Sequence, residues 1–155
     1  MSDCDRYSFD LATSAETRHL ARRVAPHLRA GDVLTLAGPI GAGKTEFARA
    51  VIRSIAGAEI EVPSPSYTLV QTYDLPGLSI AHLDLYRLGD ASELAELAID
   101  ELAADHVLLI EWPERAGEAL PPATLTIRFE ILGDGRRVSV TDHDRRLVGM
   151  GMCDA

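Results

Sequence analysis

Residues 33–57, VLTLAGPIGAGKTEFARAVIRSIAG, join three kinds of chain with no linker between them. VLTLA is a short apolar run of the kind that becomes a buried strand. GPIGAGK carries glycines at 38, 41 and 43. Phe47, Ala48, Val51, Ile52 and Ile55 then recur at helical spacing until Gly57 stops the helix. A strand that turns through glycines straight into an amphipathic helix permits few architectures. The helix must pack back on the sheet that holds its strand, and its N-terminal amides face whatever lies beyond the strand's end.

Gly38-Pro39-Ile40-Gly41-Ala42-Gly43-Lys44-Thr45 satisfies G-x-x-x-x-G-K-S/T in full, with the required strand before and helix after. Such glycines let backbone amides turn towards phosphate oxygens. Lys44 is expected to reach the β- and γ-phosphates of a nucleotide, and Thr45 to offer its hydroxyl to Mg2+. Lys44 is also the chain's single lysine, beside fourteen arginines. A compact ammonium fits between phosphates where a planar guanidinium does not. With no second lysine, the Asn-Lys-x-Asp motif by which P-loop GTPases read guanine is impossible. No LSGGQ-like signature of transporter ATPases occurs either, so ATP is the expected nucleotide.

Elsewhere the pattern alternates. Residues 7–12 suggest a first strand, and Thr13 with Glu16 makes a capping box for a helix over 14–28. EVPSPSY is a loop stiffened by Pro63 and Pro65, followed by extended TLVQTYD; SIAHLDLY (79–86) and HVLLIEW (106–112) read as strands. Asp90 with Glu93 caps a helical stretch over 91–103. ATLTIRFEIL alternates, with Leu125, Ile127, Phe129 and Ile131 on one face, and Gly133-Asp134-Gly135 turns it into RRVSVTD. The order predicts an α/β fold: a P-loop NTPase-like mixed sheet with flanking helices and a C-terminal antiparallel hairpin. One domain is expected over 1–155, with its core at about 8–142 and a loose tail after Leu147.

Charge narrows the partners. With 24 acids against 15 bases the net charge is −9, a poor match for a nucleic-acid backbone, so any tRNA connection is expected to be indirect. Cys4 and Cys153 have no metal-ligand spacing and read as reduced bystanders. No apolar run approaches the ~20 residues of a membrane span, and no targeting segment appears, so no membrane and a cytoplasmic location are expected.

A P-loop site also needs an acid at the end of a neighbouring strand. Glu111 ends VLLI, and Asp84 lies in IAHLDLY; either carboxylate has a structural alternative, Asp84 in an ion pair with Arg87. His82 shares a strand face with Asp84 and is more simply a hydrogen-bonded packing residue than a base. Trp112 would face away from Glu111 on a continuing strand, but would turn towards the nucleotide if the strand ended; core packing is its alternative. Ser64, Ser66, Tyr67 and Thr68 put hydroxyls on the proline-stiffened loop, either to sense a γ-phosphate or as a plain surface turn.

GPIGAGKT, SPSYTLV, HLDLYRL and IEWPER, in that order over about residues 8–140, resemble the TsaE (formerly YjeE) family, bacterial ATPases of tRNA threonylcarbamoyladenosine biosynthesis. The resemblance implies a small P-loop domain in which Gly38 to Lys44 wrap the phosphates while Thr45 and Glu111 hold Mg2+. It implies that Asp84 is needed for hydrolysis, that Trp112 lies beside the nucleotide, and that SPSYTLV is switch-like, with Ser66 where the family usually carries threonine. Adenine contacts are implied near the N-terminal helix and around Arg136 and Arg137. The implied partners are the TsaB–TsaD pair, whose repeated turnover the ATP cycle supports. Two other functions fit a P-loop: a small-molecule kinase, and a non-hydrolysing, ATP-gated binding module. The arginine pairs 22–23, 136–137 and 145–146 lie outside the stretch where a kinase would recognise its acceptor.

Overall fold

The computed structural model of the chain describes residues 6–65 and 68–148. Cys4, Ser66, Tyr67, Cys153 and the expected tail from 149 onwards lie outside the described residues. In chain order the elements are β1 (Arg6–Leu11), α1 (Ser14–Val24), β2 (Val33–Ala37), α2 (Lys44–Ala56), β3 (Val70–Leu75) and β4 (Leu78–Asp84). These are followed by α3 (Ala91–Glu96), α4 (Ile99–Asp105), β5 (His106–Glu111), β6 (Leu125–Leu132) and β7 (Gly135–Asp142).

All seven strands form one sheet in the order β1-β7-β6-β2-β5-β4-β3. The middle of the sheet, β6-β2-β5-β4, is parallel, and β3, β7 and β1 are joined to it by antiparallel pairing. The apolar runs at β2 and β5 are explained by this placement, because central parallel strands are covered on both faces. Leu34, Leu36, Leu109 and Ile127 pack with α1 and α2 on one face. Val33, Leu83, Leu108 and Ile110 pack with Leu94 and Ile99 of α3 and α4 on the other.

The C-terminal hairpin forms at Gly133-Asp134, with Leu132 opposite Gly135. Five details depart from the sequence reading. The first helix ends at Val24 rather than 28, and Pro26 carries the chain on in a 3₁₀ turn, Ala25–His27. Its cap is as expected at one bond, the Thr13 side chain accepting the Glu16 amide at 3.3 Å. The Glu16 carboxylate, however, takes the amide of Ala12.

The stretch 91–103 is two helices broken at Ala98, which has φ 50°. Leu94 and Ile99 are both buried against the sheet. Five residues apart on one straight helix they would point ~140° from each other, so the break brings both to the same side. A second hairpin joins β3 to β4 through Pro76-Gly77, with Gly77 at φ 78°. Ile131, expected on the buried face, is 52% exposed, because β6 pairs with β2 only from Leu125 to Arg128 and overshoots it.

Phe47 of α2 meets Phe129 of β6 edge to face, with ring centroids 5.8 Å apart and both rings sealed from solvent. This contact seats the helix that follows the glycine turn. Phe129→Ala should therefore cost about 3–5 kcal/mol in chemical denaturation. A loss below about 1 kcal/mol would show that the pair does not anchor α2.

Candidate active site

Three parallel strands end level with one another. Asp84 at the end of β4 is the register partner of Glu111 at the end of β5, and Glu111 is the partner of Leu36 near the end of β2. The glycine turn leaves β2 just beyond this row. Ligands of open α/β sheets sit in the crevice outside such carboxyl ends, and here a cleft of about 430 Å³ occupies that position. Gly41, Gly43, Lys44, Thr45, Asp84, Glu111 and Trp112 line it together with Ile40, Ser14, Ser64, Glu46 and Arg136.

Backbone sterics dictate two of the glycines. Gly38 has φ 143°, and a Cβ there would stand 2.4 Å from the carbonyl oxygen of Phe129. Gly43 has φ 106°, and its Cβ would stand 2.2 Å from Nη1 of Arg136. That guanidinium reaches across from β7 to donate to the carbonyl of Ala42 at 3.1 Å. It brings positive charge to the outside of the turn, with Glu46 3.9 Å away.

Glu111 is 2% exposed, and each of its carboxylate oxygens has one partner. The Thr45 hydroxyl donates to Oε1 at 2.7 Å, and Nε2 of His82 lies 2.7 Å from Oε2. Asp84, 5% exposed, accepts the Tyr86 amide at 3.0 Å. Its own amide donates to the carbonyl of Leu69 at 2.9 Å, which ties the end of the proline-stiffened loop to β4. Asp84 and Glu111 are thus neighbours in the row, and Glu111 is hydrogen-bonded to Thr45.

The strand ends at Glu111, and Trp112 takes φ 58°. That turn lays its indole against Lys44, whose Nζ is 3.4 Å from the ring centroid, with Tyr86 on the indole at 5.0 Å. Trp112 also packs against the core beneath α3 and α4, so the core packing expected for it holds while its ring lies against Lys44. Nζ of Lys44 donates to the carbonyl of Gly38. Lys44 is 4% exposed, and burial holds its pKa below the usual 10.5, against the opposing pull of Glu111, Glu114 and Asp84.

The donor set suits a hard cation. A hydroxyl and a carboxylate beside the glycine turn match the way Mg2+ is bound, by one or two protein oxygens with phosphates and water completing the shell. Among the described residues no three His, Cys, Asp or Glu side chains converge as an all-protein metal cage, and this arrangement requires none. A larger hollow of about 510 Å³ lies between α1 and α2, lined by Arg18, Arg22, Arg53 and Glu59, and it holds none of the motif residues.

The sequence reading missed Tyr86 and left Arg136 only as part of a region. Tyr86 follows HLDL directly and was within reach of the motif, whereas Arg136 arrives from 94 residues beyond its partner Ala42 with no local signal. No helix among the described residues is long and apolar enough to cross a membrane.

A strand, glycine turn and helix at the heart of a mixed sheet, with an acid ending the adjacent parallel strand, define the P-loop α/β class. The profile of the family described as threonylcarbamoyl adenosine biosynthesis protein TsaE matches residues 11–138, and the chain belongs to the TsaE family of tRNA threonylcarbamoyladenosine biosynthesis. Relatives named tRNA threonylcarbamoyladenosine biosynthesis protein TsaE include one from Rickettsia felis, 36% identical over 128 residues, which are 83% of this chain and 75% of the relative. Another, from Bacillus subtilis, is 37% identical over 123 residues, 79% of this chain and 76% of the relative. The crystal structure of Bacillus subtilis YdiB superposes with a TM-score of 0.77 at 28% identity, covering 94% of this chain and 90% of that one.

Lys44 is placed at a cost to the unliganded fold, because a lysine with a lowered pKa destabilises whenever it is charged. Below that lowered value the penalty is complete, and it fades as pH rises through it towards 10.5. Lys44→Met should therefore melt higher than the parent at neutral pH, with the gap closing as pH climbs. A variant that melts lower would show that the contacts to Gly38 and Trp112 outweigh burial.

Proposed function

We propose that this chain is a Mg2+-dependent ATPase that acts with the TsaB–TsaD complex to support threonylcarbamoylation of the tRNA adenosine next to the anticodon. The observation that carries the reading is the 2.7 Å bond between the Thr45 hydroxyl and Glu111, set between the phosphate cradle and the end of β5. In this reading the amides of residues 38–44 take up the phosphates of ATP. Lys44 leaves the carbonyl of Gly38 and meets the β- and γ-oxygens, and Thr45 with Glu111 holds Mg2+. The bound ion would supply charge neutralisation on those oxygens.

Glu111 bonds the Thr45 hydroxyl and Asp84 stands one strand further out, which suits Asp84 to orienting the attacking water and Glu111 to holding the ion. Ser64, and Ser66 by position in sequence, give the adjoining loop hydroxyls for the γ-phosphate. Trp112 walls the site on one side. The mouth is open, Ile40 at the tip of the turn being 70% exposed. Slow hydrolysis by the isolated chain follows, and a partner that docks on the loop beside Asp84 would complete the site. The net charge of −9 makes tRNA an indirect partner.

The two acids separate by their dependence on Mg2+. Glu111→Gln should raise the Mg2+ concentration needed for tight ATP binding, whereas Asp84→Asn should leave binding nearly intact and lower turnover. Metal titrations of both variants check this, and an identical response from the two would merge the roles.

Partner dependence is read by assaying ATP hydrolysis and modified tRNA per complex with neither, either or both of TsaB and TsaD. Hydrolysis should rise, and modification should become multiple-turnover, only in the full mixture. Full-rate hydrolysis by the isolated chain, or transfer of the γ-phosphate to a metabolite, would sink the proposal; the second result would point to a kinase.

A further inference from the structure

His82 lies in β4 two residues before Asp84 and is fully buried on the face that α2 covers. Its Nε2 is 2.7 Å from Oε2 of Glu111. Its Nδ1 is equally buried and has no hydrogen-bond partner among the described residues. The ring therefore engages Glu111 through one nitrogen and leaves the other as a polar atom in the core. A buried polar atom without a partner costs stability. A leucine would fill similar space without that cost, so packing does not account for a histidine here. What the histidine adds is one polar contact, aimed at the carboxylate of Glu111.

That contact has a geometric consequence. Thr45 takes Oε1 from the side of the cleft, and His82 takes Oε2 from inside the fold. Held at both oxygens, the carboxylate cannot rotate about its last bond. We propose that His82 is a positioning residue: its Nε2 fixes Oε2 of Glu111 so that Oε1 stays at the Thr45 hydroxyl, ready for the Mg2+ that accompanies the nucleotide. The inference rests on the reading of Glu111 as the carboxylate for that ion. It adds that the carboxylate must be oriented from within the core, as outer partners commonly orient metal ligands.

The test is the gain in ADP affinity on adding Mg2+, measured by calorimetry as the ratio of Kd in chelator to Kd in saturating Mg2+. The parent is compared with Glu111→Gln and with His82→Leu, His82→Gln and His82→Asn. Glutamine carries its amide N–H roughly where Nε2 lies, whereas asparagine stops short, near Nδ1. His82→Leu and His82→Asn should lose about ten- to a hundredfold of the Mg2+ gain, falling towards Glu111→Gln, while His82→Gln retains most of it. ADP affinity in chelator should match the parent in the three His82 variants, since the cradle is untouched.

If Glu111→Gln loses the gain but His82→Leu and His82→Asn keep it, His82 is a packing residue and this inference alone fails. If Glu111→Gln keeps the gain, the metal reading of Glu111 fails and the inference falls with it. Should His82→Leu not fold, the remaining pair decides, and equal Mg2+ gains for the glutamine and asparagine variants overturn the proposal.

Discussion

A carboxylate sealed from water keeps a defined place only if both oxygens find partners, and at Glu111 those partners come from opposite directions. Thr45 belongs to the first turn of α2, and His82 belongs to the middle of β4. One side chain thus links the helix that follows the glycine turn to two neighbouring strands. The sheet register makes this possible by placing Leu36, Glu111 and Asp84 in a row across three parallel strands. A slip of one residue in β5 would turn Glu111 to the opposite face and leave Thr45 and His82 facing an apolar side chain.

The cradle is held from outside as well as from within. Gly38 admits the carbonyl of Phe129, and Gly43 admits the guanidinium of Arg136, so the turn is clasped by the C-terminal hairpin rather than left as a free loop. Residues at the end of the chain thereby shape a motif near its start. The burial of Lys44 belongs to the same arrangement: its ammonium meets the Gly38 carbonyl and the Trp112 indole, and burial lowers its pKa against the pull of nearby acids.

Much of this was legible in the residues themselves. The period-3.6 pattern after Gly43, the apolar runs at β2 and β5, and the alternation in β6 each report burial that follows from local spacing. Readings failed where a tertiary demand overrode the local pattern. The single helix expected over 91–103 broke at Ala98 so that Leu94 and Ile99 could meet the same sheet. Ile131 kept the alternation but lost the partner strand that would have covered it. The hairpin at Pro76-Gly77 was signalled by its dipeptide and passed over, because strand pairing is decided between segments and not within one.

The glycine turn and the residues it carries were set by local sequence. Eight consecutive residues carry the glycines, the lone lysine and the hydroxyl, and a strand and a helix on either side leave them one way to fold. Which acid meets Thr45 was settled in three dimensions. Spacing along the chain offers both Asp84 and Glu111 as strand-end acids, and only the placement of β5 beside β2 gives Glu111 the Thr45 hydroxyl, with β4 and Asp84 one strand further out. The physical reason is reach: a hydrogen bond acts over about 3 Å, and which side chains come that close is set by strand order and register, which local sequence does not encode.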